Sequence, residues 1–223
     1  MLMLAQEWLV SNHDAYLLKD KQVIVWRAFA SDHLINLDKY WEVLSFSERA
    51  RAERFLARKK VEEFVIARGI LRGLLGRYLN ADPKSIVFDS NPRGKLFLAN
   101  GQPLRFNLSH SNGLCLFAVT LDTEVGIDVE QIRTCAYLKI AKRYFSRYQY
   151  DRFLKLTENQ RELVFFDFWS KKEAATKAVG QGIFSELMGG YFKVISLTVA
   201  PGYVGALAVD PIVTSVNLFN LSA

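Results

Sequence analysis

Two stretches of about twenty residues, Lys60–Leu79 and Thr157–Val179, repeat apolar side chains at helical spacing among short apolar runs closed by turn residues. In the first, Val61, Phe64, Val65, Leu71, Leu75 and Tyr78 share one side, and Arg68 sits in the same stripe. The second opens on Thr157-Glu158-Asn159-Gln160, the pattern of a capping box, and stops at Gly180. Strands are expected near Val23–Trp26, Ser85–Phe88, Lys95–Leu98, Leu104–Leu108, Leu114–Leu121 and Val125–Glu130. Three more follow the second helix, near Phe192–Val199, Tyr203–Val209 and Ser215–Phe219. Asn91-Pro92-Arg93-Gly94, Asn100-Gly101, Asn112-Gly113, Pro201-Gly202 and Asp210-Pro211 mark the turns. Shorter helices are expected over Glu48–Ala57 with Ser47 as cap, over Tyr137–Tyr144 and over Ser146–Leu156. This order predicts an α+β fold, each half carrying helices on a small, mainly antiparallel sheet. No linker rich in Pro, Gly or Ser divides them, so the halves should pack tightly.

Half of the 223 residues are hydrophobic, enough for a folded core. The longest apolar run, Leu114–Val119, is far shorter than the roughly 20 residues that span a bilayer. Met1–Val10 has no basic segment, and Glu7 interrupts its apolar residues, which argues against a signal peptide. Cys115 and Cys135 form no C-x-x-C and have no histidine at ligand spacing, which speaks against a zinc site or disulfide framework and for a reducing cytoplasm. The net charge of +6, from 29 basic and 23 acidic residues, favours an anionic partner. Basic residues crowd the segment from Arg49 to Arg77, interspersed with Glu48, Glu53, Glu62 and Glu63.

Three segments carry groups that could do chemistry. In Gly126-Ile127-Asp128-Val129-Glu130 the two carboxylates alternate, so a strand points both to one face. Carboxylates that close repel unless a cation lies between them, and a hard divalent ion fits oxygen donors; the bland alternative is an acidic edge strand. On the second helix Glu173 and Lys177 are four residues apart, one turn beyond Trp169. They make either a surface ion pair or a third carboxylate with a cation for phosphate. Phe106-Asn107-Leu108-Ser109-His110-Ser111-Asn112-Gly113 ends a strand in a polar turn whose hydroxyls, imidazole and amides could hold an anion. Ser109 and His110 are not a nucleophile and base, since neighbours in sequence point apart and no G-x-S-x-G surrounds them.

The order and separation of these segments resemble the 4'-phosphopantetheinyl transferases, most closely their monomeric Sfp-type branch. Phe-Asn-Leu-Ser-His-Ser, Gly-Ile-Asp-Val-Glu and Phe168-Trp169-Ser170-Lys171-Lys172-Glu173-Ala174-Ala175-Thr176-Lys177 occur in register. Asn91-Pro92-Arg93-Gly94-Lys95 is similar to the family's upstream Gly-Lys-Pro motif, and Arg54-Phe55 with Ala67-Arg68-Gly69 to its N-terminal helices. The resemblance spans roughly residues 47 to 183.

The resemblance implies a pseudo-twofold pair of similar α/β halves, 1–123 and 124–223, with coenzyme A between them. It implies transfer of the phosphopantetheine arm to a serine of an apo acyl- or peptidyl-carrier protein, releasing 3',5'-ADP. Asp128, Glu130 and Glu173 would hold Mg²⁺, and Lys177 would neutralise the transferred phosphoryl group. Lys95, Ser109 and His110 would contact nucleotide phosphates, and Arg54 and Arg68 the 3'-phosphate region. Such carriers are acidic, which a positive net charge suits through steering. A cytoplasmic monomer with no nucleic-acid or membrane partner is expected. Two readings from other classes compete: a metal-dependent phosphodiesterase or nuclease, and a non-catalytic nucleic-acid-binding protein. Two positions depart from the family pattern. Leu96 follows Gly94-Lys95 where proline is usual, and Gln149 stands where many relatives have glutamate. An amide is no base near neutral pH, so Glu173 or a metal-bound water would have to serve.

Overall fold

A computed structural model describes residues 3–4, 7–11, 13–180 and 191–223. The chain begins with two short strands, β1 (Met3–Leu4) and β2 (Leu9–Val10), then β3 (Gln22–Phe29). Helices α1 (Ala30–His33), α2 (Leu37–Val43), α3 (Phe46–Ala52) and α4 (Arg58–Leu79) follow. Next come β4 (Phe88–Ser90), β5 (Leu96–Leu98), β6 (Leu104–Ser111), β7 (Leu114–Leu121) and β8 (Val125–Gln131). The remainder is α5 (Tyr137–Tyr144), α6 (Arg147–Leu154), α7 (Glu158–Val179), β9 (Lys193–Leu197), β10 (Tyr203–Val209) and β11 (Ser215–Asn220). The α+β expectation holds. Among the described residues no helix is long and apolar enough to cross a membrane.

The strands sort into two main sheets and a β4–β5 hairpin. The first sheet runs β1-β11-β3-β7-β6, with β2 also on β11, and the second runs β8-β10-β9. β3, β7 and β6 are antiparallel neighbours, as are all three strands of the second sheet. Strand β11, expected beside β9 and β10, instead lies parallel to β3, Val216 opposite Val23. Its register with a strand nearly two hundred residues away is not a local property of the sequence.

Period-two alternation builds the layers. On β3, Ile24, Trp26 and Ala28 face the core shared with Ile66, Ile70, Leu71 and Leu74 of α4. Val23 and Val25 face the other way, into a core with Val125, Ile127 and Val129 of β8 and Leu207 and Val209 of β10. The opposite face of the second sheet packs Ala206 and Ala208 against Ala174, Ala175 and Ala178 of α7. The order is therefore helix, sheet, sheet, helix. Gly126 sits where a Cβ would overlap the Ala174 carbonyl and the Ala178 amide, so α7 rides directly on β8.

Local signals mostly hold. Thr157 and Gln160 form the capping box of α7, and Gly180 closes it in the left-handed conformation at φ 68°. At α3 the cap is Ser45, not Ser47: Ser45 and Glu48 cap one another, and the helix ends at Ala52. The segment expected as a strand from Ser85 begins in a short 3₁₀ turn, and pairing starts only at Phe88.

Candidate functional site

The geometry starts where the two sheets meet. Strands β6 and β8 are neighbouring edges without a backbone ladder between them among the described residues. Side chains of β6 take its place. Asn107 Oδ1 accepts from the Ile127 amide at 2.9 Å, Ser109 Oγ from Val129 at 3.3 Å and Ser111 Oγ from Gln131 at 3.1 Å. These residues alternate with Leu104, Phe106 and Leu108, which face the α4 core, so a single strand serves both layers. β6 thus runs through to Ser111: Ser109 and His110 belong to a strand, and the turn is Asn112-Gly113.

On β8, Ile127 and Val129 are buried in the inter-sheet core, while Asp128 points toward α7 and is itself buried. The exposed acidic edge is therefore ruled out for Asp128. Lys177 Nζ lies 2.6 Å from Asp128 Oδ1 and 3.1 Å from Ser109 Oγ, and Ser109 donates to the same Oδ1 at 3.0 Å. Lys177 so binds across to β8 rather than serving as a surface partner of Glu173. Burial pushes Asp128 above the ordinary carboxylate range and outweighs Lys177, Ser109 and the Val129 amide, which pull it down. Burial also raises Glu130, where the Asp128 charge adds to it, and Glu173, where Lys177 opposes it.

A cleft of about 860 Å³ opens above this knot, between α4 on one side and α7 on the other. Its lining includes Arg51, Lys60, Arg68, Arg93, Lys95 and Lys177 against one carboxylate, Glu173. The size suits a small molecule and the charge an anion. Arg68 is half-buried at the wall and, among the described residues, has no hydrogen bond or ion pair; burial chiefly lowers it to about 10. The acid that would have paired with it, Glu48, is bound to buried Arg72 at 2.8 Å. His110 is exposed at the cleft, where desolvation by the crowding walls lowers its pKa; nearby Lys60, Lys177 and Arg68 act the same way and Glu63 opposes them.

The remaining expected residues fall in different places. Lys95 lines the cleft, but its ammonium is held by Glu124 and by the Ala178 carbonyl at the C-terminal end of α7. Asn91 donates to the Gly180 carbonyl, so the turn from Asn91 to Lys95 fastens that helix end. Arg54 is exposed, follows α3 and lies outside the lining; Arg51, Lys60 and Arg93, to which the resemblance assigned no contact role, are inside it. The hydroxyl of Ser109 is fully committed within the knot. Gln149 forms the capping box of α6 with Ser146, accepting from its amide at 2.8 Å.

Asp128, Glu130 and Glu173 offer the oxygen donors of a hard divalent ion. Asp128 Oδ2 is buried and, among the described residues, has no hydrogen-bond partner, an oxygen that could bind a cation. Among the described residues, however, no three acidic, histidine or cysteine side chains already converge to hold an ion. The reason is visible: Asp128 Oδ1 is occupied by Lys177 and Ser109, and Glu130 turns to Ser111 at 3.3 Å.

Residues 124–208 match the family model of the 4'-phosphopantetheinyl transferase superfamily, a span that holds all four of Asp128, Glu130, Glu173 and Lys177. The chain is 38% identical over 185 residues to the 4'-phosphopantetheinyl transferase HetI of Nostoc sp., covering 81% of this chain and 78% of that protein. It is 34% identical over 140 residues to the 4'-phosphopantetheinyl transferase psf-1 of Bacillus pumilus, covering 63% of this chain and 59% of the relative. With the 4'-phosphopantetheinyl transferase Sfp of Bacillus subtilis it shares 27% over 149 residues, 66% of this chain and 64% of that one.

Proposed function

The chain belongs to the 4'-phosphopantetheinyl transferases, and from that premise we propose that it moves the phosphopantetheine arm of coenzyme A to a serine of an apo acyl- or peptidyl-carrier protein. The observation that carries this reading is the cation-lined cleft standing over the Asp128–Lys177–Ser109 knot. The carrier's serine oxygen bonds to the phosphorus of the pantetheine phosphate. The bond from that phosphorus to the bridging pyrophosphate oxygen breaks, and 3',5'-ADP leaves with the electron pair. Such a transfer needs positioning and charge neutralisation more than covalent help. Arg68, with Arg51 and Lys60, holds the 3'-phosphate end, while His110 and Lys95 flank the pyrophosphate and Lys177 neutralises it from the floor. Arg54, outside the lining, has no contact role in this reading. Glu173 accepts the serine proton, since its raised pKa brings it nearer to neutral pH. Asp128, Glu130 and Glu173 would hold Mg²⁺, which when bound neutralises the pyrophosphate and activates the leaving group. The protein acts as a cytoplasmic monomer, without nucleic-acid or membrane partners.

The test is incubation with coenzyme A, Mg²⁺ and a panel of apo carrier proteins, read by intact mass. One phosphopantetheine should be added to a carrier only when coenzyme A and a divalent ion are both present. No gain on any carrier with a well-folded enzyme would overturn the reading.

A further inference from the structure

We propose that Ser111 is a positioning residue for the metal-facing carboxylate of Glu130, an inference that rests on the reading of Asp128 and Glu130 as metal ligands. Ser109 and Ser111 are built alike. Each accepts an amide hydrogen from the β8 residue that follows a carboxylate, Val129 after Asp128 and Gln131 after Glu130. With the oxygen's acceptor side used on the backbone, each hydroxyl proton is free for the carboxylate. Ser109 donates to Asp128 at 3.0 Å and Ser111 to Glu130 at 3.3 Å. The seam between the sheets is therefore also the device that aims the two acids.

The two serines differ in what stands behind them. Asp128 is held by Lys177 as well, and burial restricts it further. Glu130 is half-buried, and among the described residues Ser111 is the one hydrogen-bond partner of its carboxylate. A glutamate has several rotatable bonds, and ordering it costs conformational entropy. Without Ser111 that cost falls on metal binding. Partners of this kind typically change metal affinity about 10- to 100-fold. Alanine removes both bonds of the hydroxyl, and threonine retains them.

The experiment is Mn²⁺ titration of the coenzyme A complex, followed by the electron paramagnetic resonance of free Mn²⁺. Coenzyme A affinity in chelator and the melting temperature are measured alongside. Ser111→Ala should weaken Mn²⁺ binding about tenfold while metal-free coenzyme A affinity stays unchanged, and Ser111→Thr should restore most of the loss. In a Glu130→Gln background, Ser111→Ala should add no further loss of Mn²⁺ affinity. If Ser111→Ala does not fold, Ser111→Cys, a poorer donor of similar shape, should show the same direction of change. Unchanged Mn²⁺ affinity, no rescue by threonine, or an equal loss in metal-free coenzyme A affinity would overturn the inference while leaving the transferase reading intact. Failure of the wild-type complex to bind Mn²⁺ would overturn both.

Discussion

The two long helices are of equal length, 22 residues each, yet they meet their sheets in opposite ways. α4 stands off behind bulky side chains, with Ile66, Ile70, Leu71 and Leu74 packed on Trp26 and Phe117. α7 comes to within backbone contact of β8 over Gly126, through a layer of alanines. The stand-off makes a thick apolar core, and it leaves Arg72 locked inside and Arg68 at the cleft wall. The close approach leaves no room for apolar bulk and sets Lys177 on Asp128 across the gap. One helix lines the cleft wall with Arg68, and the other brings Lys177 to Asp128 at its floor.

That contrast breaks if Arg72 behaves like Arg68. Arg72 is buried, pairs with Glu48 and donates to the Pro83 and Ile86 carbonyls. Arg72→Ala should destabilise the fold by about 3–5 kcal/mol, as removing one partner of a buried pair does. A urea melt checks it, and Arg68→Ala should show no such loss. Next in size is the seat of α7. Gly126→Ala forces the helix away from β8 and should cost about 1–3 kcal/mol of overpacking strain, with transfer falling further than stability because Lys177 leaves Asp128. Transfer at normal levels in a stable Gly126→Ala protein would show that the close approach is dispensable.

A pH test sharpens the comparison from outside the cleft. His33 is buried, with Nδ1 at 2.7 Å from the Tyr40 hydroxyl and Nε2 at 3.2 Å from the Leu221 carbonyl. Burial lowers its pKa in the folded state, so below about pH 6.5 the unfolded chain binds the extra proton and stability falls with pH. The carboxylates at the site are raised, so their contribution runs the other way, lost as pH rises through their folded pKa values. Comparing wild type with His33→Gln removes that shared contribution. The gap in urea midpoint should narrow as pH drops from 7.5 to 5.

The smallest effects concern exposed caps and open space. Gln149→Ala should keep most transfer activity and lose about 0.5–1 kcal/mol, the scale of a helix cap. A drop in turnover of several hundredfold would mean that this amide does more than cap α6. Gly73 in α4 has nothing within 4 Å of where a Cβ would stand. Gly73→Ala should therefore raise stability by about 0.4–1 kcal/mol, a gain that a melting curve resolves.

What could be read in sequence was local. The Thr157 capping box, the Gly180 stop and the alternation of Asp128 and Glu130 depend on neighbours a few residues apart, and all three stand in the structure. The pairing of Lys177 with the Asp128 strand came through the family's order of motifs, since no spacing places a helix on a strand nearly fifty residues earlier. The rest depends on distant partners. Asn107, Ser109 and Ser111 alternate visibly, but without β8 beside them they read as a strand end and a polar turn. β11 leaves the second sheet for a partner at the other end of the chain. Glu63 could not be placed from its basic surroundings; it is buried, with one oxygen on Lys60 and the other, among the described residues, without a partner.

The division of labour between the two helices is tested most directly by single-turnover transfer in Asp128→Ala and Arg68→Ala, with coenzyme A affinity measured on the same samples by calorimetry. Asp128→Ala should stay folded, bind coenzyme A and transfer almost nothing at saturating Mg²⁺. Arg68→Ala should bind coenzyme A at least about tenfold more weakly, the loss of one charge-assisted contact, and then transfer at near-normal rate once saturated. Near-normal transfer by Asp128→Ala, or the same step lost in both variants, would contradict the account.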